Sequence, residues 1–342
     1  MACGHVSGLI LLVLNFDGRP RSSALPHQPS AGRYDLPSTK RISIRSNDLR
    51  LRSDHISTNL KSGDPVKATT DKRPTPFLKW AGGKGQLLAQ LDRFVPRRFH
   101  EYFEPFLGGG AVFFHLGPKR AVLSDLNPEL INSFLEVRDD LSALISALEE
   151  LEPHRLSESY YYRLRDDLDL DSLSRAERAA RTIFLNKTCF NGLYRVNARG
   201  RFNVPWGNYR NPKLYDRDNL VQASRALRGQ RILLSDYRAA LKSARFGDFV
   251  YLDPPYHPLS ETSKFTSYTK EDFGNREQVA LAETCRTLDK RGVLFAISNS
   301  STPLVFSLYE GFRIEKLKAK RAINSKAAGR GPIEELLILN YS

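Results

Sequence analysis

Apolar positions fall along the chain in two patterns, and the alternation between them points to the fold. Residues 102–106, 121–124, 232–235, 249–252 and 293–298 are short apolar runs, each ahead of a loop, as expected of strands buried on both faces of a sheet. Between 128 and 188 the spacing changes to threes and fours, as in LSALISALEEL and RAERAARTIFLNK, which predicts a helix-rich block. A glycine loop feeding an amphipathic helix is expected at FLKWAGGKGQLLAQL (77–91), and a helix start at AVFFHL after the glycines at 108–110. Residues 193–206 alternate side-chain types around Ala-Arg-Gly, as a hairpin does, and ELLILNY near the C-terminus reads as a last strand. Together these elements predict an α/β fold, an open sheet interrupted by an inserted, mainly helical domain that bears a β-hairpin. The expected division is a disordered basic extension over 1–73, a sheet domain from 74–136 and 232–342, and the insertion over 137–231.

Asp253, Pro254, Pro255 and Tyr256 follow the strand FVYL, and so stand where open α/β sheets place their ligands. The Asp253 carboxylate and the Pro254 carbonyl are two acceptors on a backbone stiffened by proline. Such a pair can accept both hydrogens of a conjugated amino group, favour a pyramidal nitrogen and free its lone pair for attack. The alkylated nitrogen is cationic and acidic, so Asp253 serves chiefly to orient, and no strong base is required. Tyr256 adds a flat ring on which an extruded base can stack. The structural alternative for these four residues is a rigid turn. Upstream, FEPFLGGG couples a strand to a glycine loop, with Phe106 and Gly108 as candidate nucleoside contacts. Asp125 ends the next strand, where a carboxylate can take ribose hydroxyls or, alternatively, cap the helix of DLNPELINSF. In FLKWAGGK, Trp80 can pack on a cofactor and Lys84 can engage a carboxylate; the alternatives are a core tryptophan and a solvated charge.

In this order, FLKWAGGK, FEPFLGGG, SDLNPELI and YLDPPY resemble the Dam-type family of DNA adenine methyltransferases, over roughly residue 76 to the C-terminus. The insertion matches too, since LNKTCFNGLYRVNARGRFNVPWGNYRNP resembles the family's recognition hairpin and its flanks. The resemblance implies a Rossmann-like methyltransferase sheet with an inserted target-recognition domain. It also implies S-adenosylmethionine as methyl donor with no metal, double-stranded DNA as substrate, and a flipped adenine within GATC as target. By the same resemblance Trp80, Lys84, Asp125 and Asp253 contact the donor, and Arg195 reads a guanine, which a guanidinium does bidentately through O6 and N7. Lys79 contributes to guanine recognition, Leu193 and Pro205 meet other bases, and Phe190 and Asn191 wedge into the stack. The chain departs from the family at Phe190, where a tyrosine is familiar, at SNSS (298–301), and in its N-terminal extension.

Charge supports a polyanionic partner: 52 Lys and Arg against 38 Asp and Glu give +14, and an excess of nine remains after residues 1–70 are set aside. Arg199 and Arg201 read equally as phosphate contacts or as a solvated basic face, and LKAKRAINSKAAGR as a phosphate-contacting or a mobile surface loop. Cys3, Cys189 and Cys285 lie too far apart for a disulfide framework or a metal pair, so free thiols and a cytoplasmic, nucleoid-associated location are expected. The run GLILLVLNF (8–16) is too short to span a membrane and has no basic residue before it, so a non-native or over-extended N-terminus is expected rather than a signal peptide. No obligate protein partner is expected. Two other classes stay open: a transferase acting on cytosine, RNA or a protein glutamine amide, and a catalytically inactive DNA-binding relative. The inserted hairpin favours the adenine enzyme over the first, and the presence of every residue the chemistry asks for favours it over the second.

Overall fold

Every apolar run read as a strand becomes one, because each has side chains to bury on both sides. The computed structural model describes residues 73–167, 169–259, 273–320 and 332–342. Strands β1 (Tyr102–Glu104), β2 (Ala121–Asp125), β3 (Arg231–Leu234), β4 (Phe249–Leu252) and β5 (Leu294–Ser300) run parallel. Strands β6 (Arg313–Lys320) and β7 (Pro332–Leu339) join as antiparallel neighbours, giving a seven-stranded sheet of order β3-β2-β1-β4-β5-β7-β6. Side chains alternate across it: Tyr102, Leu123, Phe249 and Tyr251 enter one core, while Phe103, Val122, Val250 and Leu252 enter the other.

The helices are α1 (Leu88–Leu91), α2 (Ala111–Leu116), α3 (Pro128–Asp139), α4 (Leu141–Leu151), α5 (Glu158–Asp166), α6 (Arg175–Thr188), α7 (Arg217–Leu227), α8 (Tyr237–Ala240), α9 (Asn275–Lys290) and α10 (Pro303–Leu308). The first core is closed by α1, α2 and α3, with α4, α6 and α7 packed on α3; the second is closed by α8, α9 and α10. Helix α3 starts where it does because the Asn127 side chain accepts from the Glu129 and Leu130 N–H groups and Pro128 opens the first turn. Helix α6 starts at a reciprocal capping box between Ser174 and Glu177. A third, smaller core of Tyr161, Leu164, Phe184, Leu185, Phe202 and Val204 lies within the segment between β2 and β3. It is bound together by Tyr161 Oη donating to the Val204 carbonyl at 2.8 Å and by buried Arg181 donating to the Leu164 carbonyl at 2.8 Å.

Two expectations change. The amphipathic helix expected after the glycine loop within 77–91 shrinks to a single 3-10 turn, Lys84–Gln86, and the one-turn α1. Gly82 (φ 78°) and a Trp80–Gly83 turn take up the chain before any helix can propagate. The basic stretch from 317 is not all loop, since residues 317–320 complete β6, while 321–331 lie outside the described residues. Leu317 turns inward there and Lys318 is exposed on an edge strand, where charge discourages further pairing. Helix α3 runs through the expected 136/137 junction. The 1–73 extension, except Arg73, lies outside the described residues, as do the 8–16 run and Cys3. Cys189 and Cys285 are free and buried. Among the described residues no helix is long and apolar enough to cross a membrane.

Candidate active site

The site arises where the sheet changes direction. The helix after β1, α2, packs on one face and the helix after β4, α9, on the other, which opens a crevice between the carboxyl ends of β1 and β4. The loops of residues 105–110 and 253–258 flank it.

In the first loop Gly108 has φ 47° and its N–H donates to Asp125 Oδ2 at 3.0 Å. A Cβ on Gly108 would lie 2.7 Å from Trp80 Cδ1, so the indole rests directly on the glycine. Trp80 also stacks on Tyr194, at 5.1 Å between ring centroids and 27° between planes. Asp125 accepts a second backbone bond, from Asn127 N–H at 3.0 Å, and burial pushes its carboxyl above the usual range against the pull of these N–H groups. Asn127, not Asp125, is the cap of α3. Leu126 is 68% exposed beside Asp125, and Leu234, the register partner of Asp125 on β3, is 57% exposed. Phe106 lies against Tyr237, stacked at 5.3 Å, and edge-on to Phe273.

In the second loop a buried cation meets the aspartate. Lys84 is 4% exposed, and its Nζ lies 2.7 Å from both Asp253 oxygens and 2.8 Å from the Gly82 carbonyl, so the solvated-charge alternative is excluded. The same ammonium sits 5.0 Å from the centroid of the Tyr256 ring. Tyr256 Oη donates to Glu335 Oε2 on β7 at 2.8 Å. Pro254 is buried, and the next carbonyl, of Pro255, accepts from Gln278 Nε2 at 2.8 Å. The SNSS segment, which marks a departure in the sequence, is the support beneath this loop. Asn299 Oδ1 accepts from His257 N–H at 3.2 Å, its Nδ2 donates to Gln278 Oε1 at 3.0 Å, and Ser300 Oγ donates to the His257 carbonyl. Glu104, at the end of β1, is buried and accepts from Tyr102 Oη at 2.8 Å. Burial, with the Asp253 charge nearby, pushes its carboxyl up to about 8, so at neutral pH it holds a proton and leaves the Lys84 charge to Asp253.

The residues assigned to DNA line a separate feature. Its arms pair through isolated bridges, Cys189 with Trp206 and Val196 with Phe202, and through Asn203 N–H donating to the Arg195 carbonyl at 3.0 Å. A regular ladder does not form over 193–206, because the 3-10 turn Phe190–Gly192 opens one arm and Pro205 has no N–H on the other. Phe190 (51% exposed) and Asn191 (φ 55°) ride on that turn, and Pro205 is exposed with its carbonyl accepting from Phe190 N–H at 2.9 Å. Arg195 is held by Asn203, Nε to Oδ1 at 2.7 Å and Nη2 to the carbonyl at 3.0 Å. Leu193 is half-buried, and Lys79 is exposed with Nζ 4.7 Å from the Tyr209 ring centroid.

The structure thus brings together Trp80, Gly108 and Asp125 in one contact set, and Lys84, Asp253 and Tyr256 in another. Sequence reasoning passed over Glu104, Gln278, Asn299 and Glu335. Glu104 had a signal, an acid inside the apolar run YFEPF; Glu335 had none, because an acidic residue on a terminal strand is ordinary. Among the described residues no three His, Cys, Asp or Glu side chains come together as a metal site.

The profile of the D12 class N6 adenine-specific DNA methyltransferase family matches residues 80–323. The chain is 45% identical over 271 residues to the type II methyltransferase M1.LlaDCHI of Lactococcus lactis subsp. cremoris, covering 78% of this chain and 95% of the relative. It is 46% identical over 285 residues to the type II methyltransferase M.MjaIII of Methanocaldococcus jannaschii, covering 78% and 99%. It is 36% identical over 270 residues to a DNA adenine methylase of Vibrio cholerae, covering 78% and 96%. The α/β sheet, the paired loops at its switch point and these matches agree: the chain belongs to the D12 class of N6 adenine-specific DNA methyltransferases.

Proposed function

We propose that this DNA adenine methyltransferase takes its methyl group from S-adenosylmethionine and delivers it to an adenine turned out of duplex DNA within GATC. The observation that carries the reading is the pairing of Asp253 with buried Lys84 at the end of β4, beside the ring of Tyr256. The residues present fit the donor. A nucleoside calls for a carboxylate near its sugar and apolar walls for its base, and Asp125 stands between exposed Leu126 and Leu234, with Phe106 and Gly108 on the neighbouring loop and Trp80 resting on Gly108. Lys84 and Asp253 supply charges for an amino-acid tail. When bound, S-adenosylmethionine supplies a methyl group on a sulfonium, and the proposal includes no metal.

The chain's own groups then act on the amine. A carboxylate offers about four acceptor sites, so Asp253 can satisfy Lys84 and still accept one amino hydrogen, while the Pro254 carbonyl accepts the other. The nitrogen lone pair is thereby drawn out of conjugation, and the proton of the alkylated amine leaves by way of Asp253. Tyr256, tied to Glu335, offers its face to the extruded base. On the DNA side Arg195, stiffened by Asn203, reads guanine with help from Lys79; Leu193 and Pro205 meet other bases, and Phe190 and Asn191 enter the stack. Residues 74–136 and 232–342 form the catalytic domain in this reading and 137–231 the target-recognition domain. A DNA substrate also makes a cytoplasmic, nucleoid-associated site of action part of the proposal.

The test uses purified full-length protein, radiolabelled donor, and duplexes with and without GATC, digested to nucleosides. The expected product is N6-methyladenine in GATC duplexes alone. Asp253→Ala is expected to lower turnover by about a thousandfold or more while the protein still binds DNA. Label on cytosine, or equal labelling of duplexes lacking GATC, overturns the reading.

A further inference from the structure

The segment that carries Trp80 and Lys84 and the hairpin that carries Arg195 are far apart in sequence, yet a single buried side chain holds both. Asn186, in the last turn of α6, is 1% exposed. Its Oδ1 accepts from Lys79 N–H at 2.8 Å, and its Nδ2 donates to the Lys79 carbonyl at 2.8 Å and to the Gly192 carbonyl at 3.2 Å. A carboxamide carries donor and acceptor in one plane, so it closes on the N–H and C=O of Lys79 as a neighbouring strand would. Two further contacts repeat the connection. A Cβ on Gly192 would lie 2.2 Å from Lys79 Cδ, and Tyr194 stacks on Trp80, which itself rests on Gly108.

We propose that Asn186 is a positioning residue that clasps the donor-side segment to the base-reading hairpin, so that donor and DNA strengthen each other's binding. This rests on the function proposed above and adds to it the residue that joins its two halves. Neither half has regular structure of its own: the donor-side segment is loop and turn, and the hairpin has isolated bridges rather than a ladder. Backbone without its own ladder takes its shape from the contacts made to it. An occupied donor site fixes Trp80, and through Tyr194 and Asn186 it fixes residues 192–194. The coupling is reciprocal, because each ligand then binds a partner already ordered by the other.

Affinity for a fluorescent duplex containing the methylated site is measured with and without a non-reactive analogue of the donor. Wild type, Asn186→Leu and Tyr194→Leu are compared, with thermal unfolding of each as a check on folding. In wild type the analogue is expected to tighten DNA binding about fivefold or more, a factor that falls to within about twofold of unity in Asn186→Leu and drops in Tyr194→Leu. A general loosening of the fold weakens each binding alone but leaves this ratio unchanged, so the ratio separates a clasp from a merely structural role. A ratio of one in wild type overturns the proposal, as does a wild-type ratio in folded Asn186→Leu. Should that variant not fold, an unaltered ratio in Tyr194→Leu overturns it. The function fails separately, if no duplex gains methyladenine; a protein that methylates adenine with a ratio of one sinks only the clasp.

Discussion

Lys84, Asp253 and Glu104 illustrate how one buried cation organises two carboxyl groups. The ammonium bonds both oxygens of Asp253, while Glu104 is left to Tyr102 and stays protonated at neutral pH. Protonation of Glu104 couples to stability. Its folded value of about 8 lies above its ordinary 4.5, so the stabilising share of Glu104 is complete below the ordinary value and is lost as pH rises through about 8. Glu104→Gln keeps an acceptor for Tyr102 and cannot ionise. Unfolding free energies from denaturant titrations are expected to fall on the order of a few kcal/mol further in wild type than in the variant between about pH 5 and pH 9. Parallel pH profiles for the two proteins would show that Glu104 ionises normally in the fold.

At the scale of elements, the turn after β1 depends on close approach rather than on flexibility. Gly108 combines positive φ with an indole where a side chain would begin, so Gly108→Ala must displace Trp80 or shift the Asp125 bond. Calorimetry is expected to show donor affinity lower by about tenfold or more, since one misplaced hydrogen-bonded contact is worth roughly 1.5 kcal/mol. Gly200 at the hairpin tip also has positive φ (72°), but nothing lies within 4 Å of the point where its Cβ would stand. Its alanine variant should show the left-handed strain of about 1 to 2 kcal/mol and an unaltered donor affinity. Equal losses at both positions would mean that backbone strain, not packing on Trp80, governs the loop.

For the whole molecule the net charge of +14 governs encounter with DNA more than it governs the fold. Each phosphate neutralised releases counterions, so DNA affinity is expected to drop about tenfold or more between roughly 50 and 200 mM salt, while donor affinity barely moves. Filter binding across a salt series checks this; a flat DNA curve would indicate that the basic excess stays clear of the duplex.

Much of this protein was legible in the sequence: the strands β1 to β5, the α/β class, and the order of the glycine loop and DPPY. Local rules suffice there, because a strand buried on both faces leaves an apolar run and a loop built for close approach leaves glycine. Helices α7 and α9 also left a readable signal, in the three-and-four spacing of Leu220, Ala223 and Leu227 and of Leu281, Cys285 and Leu288, which sequence reasoning passed over. The pairing of Lys84 with Asp253, the support of Asn299 and Ser300 under the loop of 253–258, the tether from Glu335 to Tyr256 and the Asn186 contacts to Lys79 and Gly192 were decided only by tertiary structure. Each joins groups that tertiary packing makes neighbours, and the energy of a polar contact depends on burial and geometry that no local pattern records.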